Sequence, residues 1–128
     1  MKKLNLTATH YKLLITMEWM NAHHLYPTAN GIYKIVHGVY DQDTVNLTMC
    51  PTFEVLISYS SKRISNYVLV LYRYGYLGKV YDEKTHELYY EITLKGKEAI
   101  SEHYGDDIPS FKKKKKTFVP QIVKINKR

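Results

Sequence analysis

Between Ser60 and Tyr104 the hydrophobic period changes twice, and this change constrains the fold more than any other feature of the chain. Ser60 or Ser61 is placed to cap a helix in which Ile64, Tyr67, Val68 and Leu71 recur at helical spacing, and which runs to Tyr74 and stops at Gly75. The pattern then becomes that of strands. Tyr76 to Tyr81 and Glu87 to Ile92 are rich in β-formers and flank the polar stretch Asp82-Glu83-Lys84-Thr85-His86, which predicts a hairpin. Helical spacing returns from Thr93 to Tyr104, and Gly105-Asp106-Asp107-Ile108-Pro109 breaks it. Helix, hairpin and helix in this order predict an α+β domain.

Upstream, Thr7 or Thr9 caps a first helix reaching about His24, with Leu13, Leu14, Met17 and Met20 as its apolar face. Leu25-Tyr26-Pro27 interrupts it. Thr28 then caps a short helix with Ile32, Ile35 and Val36 on one side and Gly38 at its stop. Val39 to Cys50 is polar and without clear period, a loop with a short extended piece around Val45-Leu47. Pro51-Thr52 opens a helical turn, Phe53 to Ile57, so that helix, tight turn and helix are expected up to Tyr74.

At 128 residues and 45% hydrophobic content, thirteen tyrosines included, the chain is expected to bury one core of its own. Cys50 is the lone cysteine and forms no internal disulfide, and no Cys/His cluster has zinc spacing, which fits a reducing cytoplasm. No apolar run approaches the roughly 18 residues of a membrane span, so neither a span nor export is expected. No phosphate-cradling glycine loop, nucleophile elbow or His-Glu-x-x-His occurs. His23 and His24 are adjacent and diverge on a helix, and His10, His37, His86 and His103 lack ligand spacing. The expectation is a protein without catalytic chemistry, metal or cofactor.

The formal net charge is +7, and its location matters more than its size. Residues 1–110 hold eleven Lys/Arg against all twelve Asp/Glu, a balance of −1, whereas residues 111–128 hold eight Lys/Arg and no acid, a balance of +8. The domain is therefore read as 1–110, followed by a basic tail, 111–128. Five consecutive lysines, Lys112 to Lys116, repel one another, which predicts mobility there and binding to any polyanion through counterion release. Phe118 to Ile125 is apolar enough to dock back on the domain as a strand, with a plain solvated tail as the open alternative.

The ordered set of a helical turn, a Ser-led helix, Arg73-Tyr74-Gly75-Tyr76-Leu77, a hairpin and Leu94-Lys95-Gly96 resembles the winged-helix family over roughly residues 52–104. In that family such a turn ends the recognition helix and starts the wing. The extra helix at Gly31 to Gly38, with the long loop after it, most resembles the RQC domain of RecQ-type helicases, here standing alone without helicase lobes or the four-cysteine zinc module. The resemblance implies binding to duplex or forked DNA. In the RQC family the hairpin, often with an aromatic at its tip, wedges open a duplex end; here the tip Glu83-Lys84-Thr85-His86 has only His86 as a flat ring, which leaves strand separation an open alternative.

Candidate contacts follow. Ser61, Lys62, Arg63, Ser65 and Asn66 at the start of the long helix are placed to meet phosphates or base edges, with Arg73 at its end. On the wing, Lys79, Lys84 and His86 are candidates, although Asp82, Glu83, Glu87 and Glu91 oppose them in the same hairpin. Lys112, Lys113, Lys114, Lys115 and Lys116 complete the set. Tyrosines 72, 74, 76, 81, 89 and 90 suit base stacking, but core and cross-strand packing is the simpler use of most of them. Because Tyr67 to Tyr72 is apolar all round, a protein partner is a competing reading, and a small dimeric regulator is a third. Such regulators dimerise through a long flanking helix, and the segment after Lys95 is short, so a monomer or weak dimer is expected.

Overall fold

The computed structural model describes residues 4–39 and 47–105. Among these, four helices and one antiparallel hairpin follow in the order α1 (Ala8–Ala22), α2 (Ala29–His37), α3 (Ser61–Arg73), β1 (Leu77–Asp82), β2 (Glu87–Ile92) and α4 (Leu94–Tyr104). The arrangement is α+β and compatible with a winged-helix-like layout. No described helix is long and apolar enough to cross a membrane. Residues 106–128 and Val45 lie outside the described residues, and with them the expectations for the lysine run, for Phe118 to Ile125 and for most of the extended piece.

Of the alternative caps, Thr7 and Ser60 are the ones used. Thr7 donates its backbone N–H to His10 Nδ1 at 2.9 Å, while Thr9 is buried, its hydroxyl 2.8 Å from that of Tyr59. Ser60 accepts the Arg63 N–H at 3.1 Å, which places Ser61 inside the first turn. In α2, Thr28 accepts the Gly31 N–H at 3.1 Å.

The expected helical turn at Phe53 to Ile57 is not a helix, and the reason lies in α2. The last carbonyls of a helix need partners from outside it. Here Glu54 donates its N–H to Ile35 O at 2.8 Å, and Leu56 donates to Val36 O at 2.7 Å. Residues 51–58 accordingly form a string of turns, with Glu54 at φ +59°. Gly38 ends α2 at φ +83°, where a Cβ would collide with the Glu54 side chain. The helix that packs with α3 in place of the expected turn is α2, separated from it by the whole connection 38–60, and α1 packs on both.

The core lies between α1 and everything that follows. Leu13, Leu14 and Met17 of α1 belong to one buried cluster with Ile32 and Val36 of α2, Ile64, Val68 and Leu71 of α3, Leu77 and Ile92 of the hairpin, and Ile100 of α4. Each such side chain stabilises the fold by about 1.5–3 kcal/mol. Met20, Ile35, Cys50 and Phe53 form a smaller cluster. Cys50 is fully buried, its Sγ 3.3 Å from Thr52 Oγ1; Thr52 bonds Thr16, which donates to Lys12 O at 2.7 Å.

Two devices set the hairpin on this core. On one side, α1 and the break after it satisfy the outer edge of β2: Pro27 O accepts the Tyr90 N–H at 2.8 Å, and Asn21 Oδ1 accepts that of Ile92 at 2.7 Å. On the other, α4 approaches so closely at Gly96 that a Cβ would run into the Tyr76 carbonyl and lie 2.7 Å from Ile92 Cγ1. Thr93 locks this junction, accepting the Gly96 N–H at 3.1 Å and lying 2.7 Å from the Gly75 carbonyl oxygen.

Candidate functional site

The long helix presents a divided surface. Ile64, Val68 and Leu71 are buried, while Ser61, Lys62, Arg63, Asn66 and Arg73 are exposed and Ser65 is half-buried. Tyr67, Leu69 and Val70 are half-buried, so the apolar run is less enclosed than its sequence suggests. Lys62, Asn66 and Arg73 stand at i, i+4 and i+11, which at about 100° per residue aligns them on the side of α3 away from the core. The stripe is about 16 Å long at 1.5 Å per residue. None of its three side chains has a partner among the described residues. Arg63 diverges from the stripe, its guanidinium 4.2 Å from the centroid of the Tyr59 ring.

The hairpin meets the far end of this helix, and its register sorts its charges. The pairs Leu77↔Ile92, Lys79↔Tyr90 and Tyr81↔Leu88 share one face, and Gly78↔Glu91, Val80↔Tyr89 and Asp82↔Glu87 share the other. The first, or near, face enters the core through Leu77 and Ile92 and meets α3 through Tyr72. There the Lys79 ammonium lies 4.5 Å from the Tyr72 ring centroid and 5.8 Å from that of Tyr90, with the two rings edge to face at 6.4 Å. Lys79 thus stays exposed yet is held by cation–π contact at the last turn of α3, on the side of Tyr72. The strand acids Asp82, Glu87 and Glu91 all fall on the far face.

At the tip, His86 has φ +59° and its Nδ1 lies 3.0 Å from the Tyr81 hydroxyl. Tyr81 and Leu88 are about half exposed beside it. Lys84 is exposed in the turn, its N–H given to Asp82 Oδ1 at 2.8 Å. Of the tyrosines weighed for stacking, Tyr76 is buried, and Tyr74, Tyr89 and Tyr90 are half-buried. Only Tyr72 and Tyr81 present open rings. The candidates Lys112 to Lys116 lie outside the described residues.

At its other end α3 rests on α1 through aromatic contacts. His10 is buried with its ring edge to face on Tyr67 at 5.1 Å, and Tyr67 lies 6.0 Å from Tyr59, the ring under Arg63. Burial lowers the His10 pKa, which favours the neutral ring that accepts the Thr7 N–H at Nδ1.

Chemically, α3 and the near face together offer cations, an amide side chain and flat rings, with no carboxylate on either. Such a surface suits a polyanion that also exposes π-faces. Among the described residues no group of three or more His, Cys, Asp or Glu could hold a metal ion. Tyr72 and Tyr90 were not separable from core tyrosines by composition. The parity that separates Lys79 from the acids was available in the alternation of the two strands.

No protein-family model, curated protein or solved structure matches this chain.

Proposed function

We propose that this chain is a non-catalytic, winged-helix-type domain that binds nucleic acid, with α3 and the near face of the hairpin as its contact surface. One observation carries the reading. Every charged side chain on α3 and on the near face is cationic, Lys62, Arg63, Arg73 and Lys79, although residues 1–110 as a whole are slightly acidic. Phosphates meet the cations, and Asn66 suits a base edge. Lys112 to Lys116 add affinity that carries no sequence information. Duplex ends or forks are the preferred ligand, because the rings of Tyr81 and His86 stand exposed at the outer hairpin beside Leu88, and unpaired bases stack on such rings. This use of the wing is in keeping with the RQC-like layout.

The test is anisotropy binding of the full chain to blunt duplex, forked duplex and single-stranded DNA at two salt concentrations. Lys62→Ala with Arg63→Ala is expected to change the preference among the three ligands. Unchanged affinity and preference would sink the α3 surface. A protein partner is the second reading, supported by Met49 and Ile57, which are 78% and 59% exposed in the connection before α3. An apolar interface of that kind keeps its affinity as salt rises, whereas phosphate binding does not.

A further inference from the structure

The strand residues of the far face have no part in the surface proposed above, and a shallow groove lies against their outer end. Tyr26, Val80, Asp82, Glu83, Lys84 and Tyr89, with Tyr81 of the near face, line a groove of about 640 Å³ that is open to solvent. Tyr26 and Val80 are 46% and 38% exposed there. Asp82 and Glu83 are the acids of the lining; Glu87, which pairs with Asp82, and Glu91 lie on the same strand face beside it. The strands place no cation here; Lys84, in the turn, is the single one at the rim. Tyrosine rings beside carboxylates are the chemistry of a site for ammonium groups, through charge and through cation–π contact. The hairpin already uses that contact once, in Lys79 over Tyr72.

We propose that this groove is the resting dock of the chain's own lysine run, Lys112 to Lys116. Charge complementarity is the first argument: five consecutive lysines without an acid, against Asp82 and Glu83 in the lining and Glu87 and Glu91 on the same strand face, with Lys84 the one cation among them. Chain length is the second. The last turn of α4 sits on the first turn of α1, with His103 stacked on Tyr11 at 4.0 Å and Tyr104 edge to face with Tyr11 at 5.7 Å. Tyr26 of the groove lies four residues past the other end of α1, a helix of 15 residues and so about 22 Å long. The seven steps from Gly105 to Lys112 span at most about 25 Å, and the eleven to Lys116 about 40 Å, so the later lysines of the run extend beyond the length of that helix. Tethering raises the local concentration of the run to the order of millimolar, enough for weak, screened contacts to hold part of the population. Where the domain also binds nucleic acid as proposed, phosphates compete for the same lysines. The tail then moves from the far face to the ligand. That last consequence rests on the proposed function; the dock does not.

The dock is tested on the full chain without nucleic acid, by zero-length carbodiimide coupling of carboxylates to lysines, with mixed isotope-labelled chains to separate links within a chain from links between chains. Lys112 to Lys116 are expected to couple within one chain to Asp82, Glu83 or Glu87 in preference to Glu98 and Glu102, which are nearer in sequence. The yield is expected to fall several-fold between 0.1 M and 1 M salt, as the screening length contracts from about 10 Å to about 3 Å. Preferential coupling to Glu98 and Glu102, links only between chains, or no coupling at all overturns the dock. As a second measurement, the amide resonances of Val80 and Tyr89 are expected to move when Lys112 to Lys116 are replaced by serine; unmoved resonances overturn it equally. Adding duplex then separates the two proposals. Bound duplex with an unchanged coupling yield refutes the competition, whereas duplex that does not bind refutes the proposed function and leaves the dock standing on the coupling result.

Discussion

The two faces of the hairpin are drawn from the same two strands and differ in almost every physical respect. The near face runs from buried Leu77 and Ile92, through Lys79 and Tyr90, to exposed Tyr81 and Leu88. The far face carries Val80 and Tyr89 among Asp82, Glu87 and Glu91. Counted as composition, the hairpin is a weakly acidic segment of mixed charge. Resolved by the two-residue period of a strand, it is a cationic and aromatic surface set back to back with an anionic one. Local charge balance is therefore a poor guide to what a strand presents, and register decides it.

If the near face anchors the hairpin and the far face does not, truncation should separate them. Leu77→Ala is expected to cost about 2–5 kcal/mol of unfolding free energy, because it empties a fully packed site. Val80→Ala, on the half-exposed far side, should stay within roughly 0.5 kcal/mol. Chemical denaturation of the two variants measures the difference, and equal losses would erase the distinction. The next effect is on binding. Replacing Lys112 to Lys116 by serine should weaken all duplexes alike and flatten the salt dependence of log K by up to about 0.9 per lysine engaged. Salt titrations of both chains settle this.

A smaller effect sharpens the contrast between the faces directly. Lys79→Glu should lower duplex affinity by about tenfold, since it places a carboxylate on the near face at the last turn of α3, where every charged side chain is cationic, while Glu87→Lys, on the far face, should change it by no more than about twofold. Comparable effects from both would mean that the hairpin acts only through its total charge. The smallest expected effect is at the end of α3 remote from the hairpin. With its pKa lowered by burial, His10 takes a proton in the unfolded chain before it does so in the folded one. Its contribution is therefore complete above about pH 6.5 and is lost as pH falls from there toward the lowered folded value. Thermal unfolding should show a steeper loss of stability between pH 7 and 5 for the native chain than for His10→Gln.

The order of elements and most of their limits were legible because helix, strand and turn signals here agree with one another. Thr28 with Gly38, Ser60 with Gly75, and Thr93 with Gly96 each mark a boundary that backbone geometry then uses. The segment Phe53 to Ile57 was misread because two of its backbone donors, those of Glu54 and Leu56, are taken by α2, a tertiary demand with no trace in local spacing. For the candidate site, Lys62, Arg63, Asn66 and Arg73 were readable from position alone. What local reading left out was the Tyr72–Lys79–Tyr90 contact, which needs the hairpin folded against α3 before the three side chains meet.

The donation of the Glu54 and Leu56 amides to the end of α2 ties an irregular stretch to a regular one. Turns that hold only themselves open one at a time, and their amide protons pass quickly to solvent. These two amides open only when the last turn of α2 lets them go. Hydrogen exchange should therefore find protection at Glu54 and Leu56 matched to that helix end, and the stretch around them would behave as part of α2's cooperative unit rather than as a loop between two others.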